Sequence, residues 1–393
     1  MRISSKLVGV GVLALMTGCS SLSPSSAINK LSGLNPFSSK SKAEQPAALV
    51  ELQATMAVRT AWKLDIGKAG AYQFSPALAG NTVVVASAGG DIARVEATTG
   101  RLLWRTKAGS ELTSGVGTDG NLIVVGGAKG SLIAFDMDGN KLWTSQLSSE
   151  LLSAPAVGQG IVVARSLDNR IVGLDARTGD KKWTVQRTSP ALTLRTAPGM
   201  VVNGSDVVIA QPAGRLSSFL LATGAPRWDV EVGVGRGATE LERVTDIGGY
   251  PVLFEGDVCA VTYQGRIGCF DAAAGSTKWT RDMSSEVGVA VDQRFVFAPD
   301  DKGALYAYNR DTGASAWKND KLAFRRLSTP VSYGRAVAVG DYQGIVHFLS
   351  REDGAFLARA ATDGSPIVGT PLVAGSHLIF QTQNGTVAAI AVE

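Results

Sequence analysis

Histidine is nearly missing from this chain, which carries two, His347 and His377, in 393 residues. Cysteine is almost as scarce, with only Cys19, Cys259 and Cys269, and charged residues make up 18%. These scarcities exclude much chemistry. No Cys, His and carboxylate grouping has metal-ligand spacing. There is no Gly-x-Ser-x-Gly elbow and no glycine-rich phosphate loop. The formal charge is +4, falling to about +2 if Arg2 and Lys6 are lost with a leader. With no basic run and no basic-aromatic interleaving, a nucleic-acid partner is not expected. The apolar run from Leu7 to Met16 is ten residues long. That is about half of what a membrane-spanning helix needs, and no other segment could cross a bilayer.

What is present is periodic. All seven Trp stand in one register. Gly precedes Trp by four residues at Gly100/Trp104, Gly139/Trp143, Gly179/Trp183, Gly224/Trp228, Gly275/Trp279 and Gly313/Trp317. Gly354 repeats the figure with Ala358 in the aromatic slot, and only Trp62 lacks the Gly. The fullest copy is Asp175-Ala176-Arg177-Thr178-Gly179-Asp180-Lys181-Lys182-Trp183. It reads as a strand end, a tight turn and a new strand bearing an indole. Val-rich stretches such as Thr82-Val83-Val84-Val85 have the β-branched character of buried strands. Second-to-third-strand turns recur at Gly89-Gly90, Lys129-Gly130, Asp168-Asn169, Ala213-Gly214, Gln264-Gly265, Lys302-Gly303, Gln343-Gly344 and Asn384-Gly385.

Eight four-stranded units of about 40 residues predict an all-β fold, an eight-bladed β-propeller. The eighth unit runs out at its third strand, near Glu393, and the orphan Trp62 strand can supply the fourth. Pairing the terminal strands in one blade would close the ring and remove an open edge. The Trp read as packing wedges between blades. Asp136, Asp175 and Asp271 recur at turns, which argues for turn capping rather than acid-base catalysis.

Irregularity marks the candidate site. Trp143 to Pro155 is 12 residues and Trp317 to Pro330 is 13, but Trp183 to Pro198 is 15 and Trp228 to Pro251 is 23. Two successive blades therefore carry the longest fourth-to-first-strand loops, side by side on one end, where a rigid scaffold displays function. The first contains Leu192, Leu194 and Arg195. Two alternating apolar anchors beside an Arg suit a protein contact; equally, both Leu could enter the following strand and its core. The second runs Gly233 to Ile247. Its charges read as a solvated loop or turn, with Asp246 near the neighbouring loop and able to form a polar rim with Arg195. Cys259 and Cys269 flank one hairpin. Their register about Gln264-Gly265 does not set them clearly opposite, so two small buried thiols are expected rather than a disulfide.

The N-terminus resembles a bacterial lipoprotein signal. Arg2 and Lys6 precede the apolar run, which ends at Leu15-Met16-Thr17-Gly18-Cys19, with Met16 where the lipobox usually has Leu. The resemblance implies a signal peptide over 1–18 and lipid attachment at Cys19. With Ser20 next, it implies sorting to the outer membrane. Residues 19–56 begin Ser-rich and read as a flexible tether, with Leu22, Ile28, Leu31 and Leu34 as one weak helical face. Residues 57–393 form the propeller.

The figure Ala-x-Asp-x-x-Thr-Gly-x-x-x-Trp also resembles the blade motif of pyrroloquinoline-quinone dehydrogenases, which implies eight blades. Those enzymes add an adjacent Cys-Cys pair and a calcium-binding carboxylate/Asn set, neither of which is seen here. The whole chain, from lipobox through tether to propeller, resembles the BamB family of outer-membrane assembly lipoproteins. Its most specific stretches are Ala191-Leu192-Thr193-Leu194-Arg195 and Thr239-Glu240-Leu241-Glu242-Arg243-Val244-Thr245-Asp246. The resemblance implies a non-enzymatic scaffold without cofactor, lipid-anchored on the periplasmic face of the outer membrane. It would bind the POTRA region of BamA through Leu192, Leu194, Arg195 and Asp246. Other assembly lipoproteins would be indirect partners, and unfolded outer-membrane proteins would be clients, met in part by strand addition at blade edges. A second acidic residue often follows two positions after the Asp; here that position is Gly248. The competing readings are a quinone-dependent dehydrogenase, which predicts bound quinone and calcium, and a polysaccharide- or peptide-binding propeller, which predicts exposed aromatics at the axial mouth.

Overall fold

A computed structural model of the chain describes residues 45–393. The signal segment, Cys19 and most of the tether, including its weak helical face, lie outside the described residues. Over 46–393 the chain forms eight four-stranded antiparallel sheets. Blades 1 to 7 hold strands over 77–107, 112–146, 156–186, 200–231, 247–283, 290–319 and 331–361. Blade 8 joins the strand Val58–Asp65 to Thr386–Val392, followed by His377–Gln381 and Leu372–Ala374. The closure expected from the Trp62 strand is therefore observed. Among the described residues the helical content is one 3-10 turn, Ala128–Gly130.

The second and third strands are almost wholly buried, as in Thr82–Ala86 and Phe295–Pro299, whereas fourth strands alternate exposed with half-buried residues. Apolar side chains gather in clusters that each draw on two neighbouring blades. One combines Val84 and Ile92 of blade 1 with Ile123 and Phe135 of blade 2. Another joins Ile379 and Val387 of blade 8 to Val83 and Val95 of blade 1, completing the circle. No blade buries its apolar faces alone, so stability depends on the closed ring.

The Gly-x-x-x-Trp figure turns out to be a chain of locks. Each indole N–H donates to a carbonyl in the turn of the next blade: Trp62 to Ala97 (2.9 Å), Trp104 to Met137 (2.8 Å), Trp143 to Ala176 (2.9 Å), Trp183 to Leu221 (3.0 Å). Trp228, Trp279 and Trp317 continue to Ala272, Arg310 and Arg351. The same indoles lie on the turn glycines of those blades. A Cβ at Gly100, Gly139, Gly179, Gly224, Gly275, Gly313 or Gly354 would fall under 3.0 Å from the ring. These glycines have φ between +66° and +85°, so both backbone and space demand Gly. The turn aspartates cap as expected: Asp175 Oδ1 accepts from the N–H groups of Arg177 and Thr178, and Asp271 Oδ1 from Ala273 and Ala274.

One expectation fails. Cys259 and Cys269 are direct cross-strand partners in blade 5, with Cα atoms 4.1 Å apart, and they form a disulfide. The hairpin counts symmetrically about Gln264, placing the two residues opposite each other, so the sulfurs meet.

Residues 46–57 pack against blade 7. Ala47 N–H donates to Ala323 O, Thr55 N–H to Leu357 O, and Met56 is buried with Phe348, Leu357 and Ala358. We call this stretch the strap.

Candidate protein-contact face

Fourth-to-first-strand loops and second-to-third-strand hairpins share one face of the ring. The loop after blade 3 and the loop after blade 4 meet there, and Asp246 joins them. Its Oδ2 accepts the N–H of Leu194 at 2.5 Å and its Oδ1 that of Ala213 at 2.9 Å. Asp246 is only 4% exposed. Burial pushes its carboxyl above the ordinary value, opposed by the two backbone N–H groups and by the Arg165 guanidinium. Burial in turn brings Arg165 down to about 10, offset by Asp246, so Arg165 remains a cation at neutral pH. A cleft of about 40 Å³ between Arg165, Ser153, Thr193, Leu194 and Asp246 separates the loop from blade 3. Asp246 is thus an internal brace, not part of an exposed rim with Arg195. It shapes the surface by fixing the backbone of Leu194.

What the brace presents is apolar and basic. Leu192 is 46% exposed, Leu194 is half-buried and Arg195 projects outward. Both Leu lie in the loop, ahead of the strand Met200–Asn203, and do not enter its core. Arg195 Nη2 donates to Glu150 Oε2 at 2.7 Å, and Tyr72 Oη donates to Glu150 Oε1 at 3.0 Å. A polar chain therefore crosses from the loop after blade 3 to the loops entering blades 3 and 1. Neither Glu150 nor Tyr72 stands in any repeat figure, and nothing in the sequence singles them out.

The second loop is an exposed turn, as its charges suggest. Its charges pair locally, Arg243 with Glu240, while Val234 and Leu241 are its exposed large hydrophobic residues. Thr239 Oγ1 accepts from Glu242 N–H, and the Glu242 carboxylate accepts from Thr239 N–H. This reciprocal cap is readable in the sequence as Thr239-x-x-Glu242, and it holds Leu241 at the tip of a turn. At Gly248 a Cβ would lie 2.7 Å from Val287 O. A side chain at this position has no room against that backbone.

The ring axis tests the quinone reading. Tyr250 lies across it, its ring pressed on Gly199 so that no Cβ could fit there. Burial pushes its phenol up to about 12. A cavity among Tyr250, Gln73, Gly115, Glu286 and Thr329 holds about 10 Å³, too little for a tricyclic quinone. Among the described residues no group of His, Cys, Asp or Glu is placed to hold a metal ion. On the opposite face a funnel of about 410 Å³ is lined by Pro76, Leu78, Pro155, Val201 and Pro371, with the half-buried Tyr250 as its one aromatic side chain. The described residues offer no calcium ligand set, and the funnel offers a single aromatic side chain.

Fold and face together define the class: a closed eight-bladed propeller that presents a braced, apolar-basic loop face. The family model described as outer membrane protein assembly factor BamB matches residues 57–112 and 88–319. The outer membrane protein assembly factor BamB of Burkholderia pseudomallei is 43% identical over 89% of this chain and 92% of its own length. That of Bordetella pertussis is 39% identical over 92% of this chain and 94% of its own. The crystal structure of BamB from Moraxella catarrhalis superposes with TM-score 0.78 at 27% identity, covering 85% of this chain and all of that one. The chain belongs to the BamB family of outer membrane protein assembly factors. A quinohemoprotein alcohol dehydrogenase from Pseudomonas putida shares the fold alone, with TM-score 0.65 at 12% identity.

Proposed function

We propose that this protein is a non-catalytic scaffold of the outer-membrane β-barrel assembly machinery, binding the POTRA region of BamA through the loop after blade 3. In this reading residues 1–18 are a signal peptide and Cys19 carries the lipid that holds the body at the periplasmic face of the outer membrane. Residues after Cys19 form the tether, and the propeller aids delivery and insertion of outer-membrane proteins. Leu192 and Leu194 supply apolar anchors, Arg195 a charged donor, and Asp246 fixes the loop from beneath. The observation that carries the reading is the Asp246 brace: a buried carboxylate spanning two blades to hold exposed Leu192 and Arg195 in one geometry. Preorganising a loop lowers the entropic cost of binding.

The test is recovery of BamA by the folded triple variant Leu192→Ala/Leu194→Ala/Arg195→Ala. Each anchor should cost about 1–2 kcal/mol, so recovery at limiting concentration should fall by at least about 100-fold. Undiminished recovery would remove this site.

A further inference from the structure

We propose that the strap is a pH-operated clasp, closed at neutral pH on a buried His347–Asp341 pair and released at its N-terminal half when His347 takes up a proton. The strap has two arginine hooks. Arg325 Nη1 donates to Ala47 O at 3.0 Å, and Arg359 Nη1 to Val50 O at 2.7 Å. Both hooks rest on one pair of side chains with no solvent exposure, Asp341 and His347. Arg325 Nε donates to Asp341 Oδ2 at 2.8 Å, and His347 Nε2 lies 2.9 Å from the same oxygen. Arg359, the cross-strand partner of His347, directs its Nε at His347 Nδ1 at 3.3 Å. Asp341 Oδ1 is taken by the N–H groups of Gln343 and Ile345, and Arg325 Nη2 by Gln343 Oε1.

This wiring fixes the tautomer. Nδ1 must accept from Arg359, so the single ring proton sits on Nε2 and goes to Asp341. A second proton on Nδ1 would point at the Arg359 guanidinium. The charge count is equally one-sided: two guanidiniums face one carboxylate, so the neutral ring already leaves one uncompensated positive charge. Phe356 fills the side of the ring left open, with centroids 6.2 Å apart. Burial lowers the imidazole below its ordinary 6.5, the Asp341 bond opposes this, and Arg359 and Arg325 add to the lowering.

The sign follows. The closed clasp binds the proton more weakly than an open one, so protonation favours opening. The clasp is fully held above the ordinary value of 6.5 and is lost as pH falls through the lower value of the closed state. Backbone strain points the same way: Phe324 and Arg326, on either side of the first hook, have φ of +57° and +48°, conformations that tertiary contacts must hold in place. Opening would free residues 46–51, giving the chain before them about 20 Å more reach at about 3.3 Å per residue. It would also free the Arg359 guanidinium from Val50 O, while the Thr55 N–H bond to Leu357 O keeps the C-terminal half of the strap in place.

Hydrogen exchange on the full chain at about pH 7.5 and about pH 5, corrected for intrinsic rates, tests this. The Ala47 amide should lose protection at least about 10-fold at the lower pH while the blade-core amides hold. In His347→Gln that step should vanish. Equal protection of Ala47 at both pH values, or the same loss in the Gln variant, would overturn the proposal. If that variant fails to fold, the wild-type ring resonances decide, since the chain has only two histidines. His347 must titrate in step with the exchange of Ala47; titration without strap opening, or opening without titration, sinks the idea.

Discussion

A turn glycine such as Gly224 meets two independent demands, and the two can be separated by experiment. Gly224 has φ +71° and a Cβ there would lie 2.5 Å from the Trp183 ring, whereas Gly204 has φ +58° with nothing within 4 Å. Alanine at Gly204 meets only the left-handed backbone penalty, about 1–2 kcal/mol. Alanine at Gly224 adds overpacking against an indole that is itself pinned to Leu221 O, for about 3 kcal/mol or more. Urea midpoints of the two variants should show the larger loss at Gly224. Equal losses would mean that the Trp-Gly contact yields freely. Asp246 illustrates a residue whose location sequence could not give. Its place beside a Leu-rich loop was legible from the order of the blades. Its burial was not, because the partners that bury it, Leu194 N–H and Ala213 N–H, are backbone groups without a side-chain signature.

At the scale of elements, blades are strongly legible because their turns and strands repeat, and each repeat checks the others. Loops are not, because each occurs once. The charges of the second long loop mark a solvated segment, and Glu240 and Arg243 are indeed exposed, but nothing in them announces a Leu241 at 71% exposure. The hairpin of blade 5 is an intermediate case. Its turn near Gln264-Gly265 is readable, but register within one residue decides whether two cysteines face each other, and turn position alone does not fix that. The observed Cys259–Cys269 bond closes a loop with a sequence separation of 10. Loop-closure entropy then gives about 2–3 kcal/mol of stabilisation. Reductant, or the double Ser variant, should shift the urea transition by that amount without changing the fold. A change below about 0.5 kcal/mol would show that the neighbouring strands already hold the hairpin.

At the scale of the whole molecule, two irregularities of the sequence have one cause. Trp62 has no preceding Gly, and Ala358 stands where the other blades have Trp. Blade 8 has no third-to-fourth-strand turn, because its strands Thr386–Val392 and Val58–Asp65 come from opposite ends of the described residues. Trp62 therefore follows no turn, and an indole from blade 7 would find no turn to lie on. The 7–8 interface loses its lock at the place where the ring is closed by pairing alone. The strap makes good the deficit: Met56 is 5% exposed and packs with Ala358, Phe348, Ile367 and Ile390 of blades 7 and 8, while Ala57 O accepts the N–H of Glu393. Met56→Ala should consequently cost about 2–5 kcal/mol, as for a large-to-small change in a core. Because every apolar cluster is shared between neighbours, that loss should lower the midpoint of one cooperative transition and not split off a blade. Thermal unfolding followed by both tryptophan fluorescence and far-UV circular dichroism would check this. Coincident transitions at a lower midpoint are expected; an unchanged midpoint would mean that the ring closes without the strap.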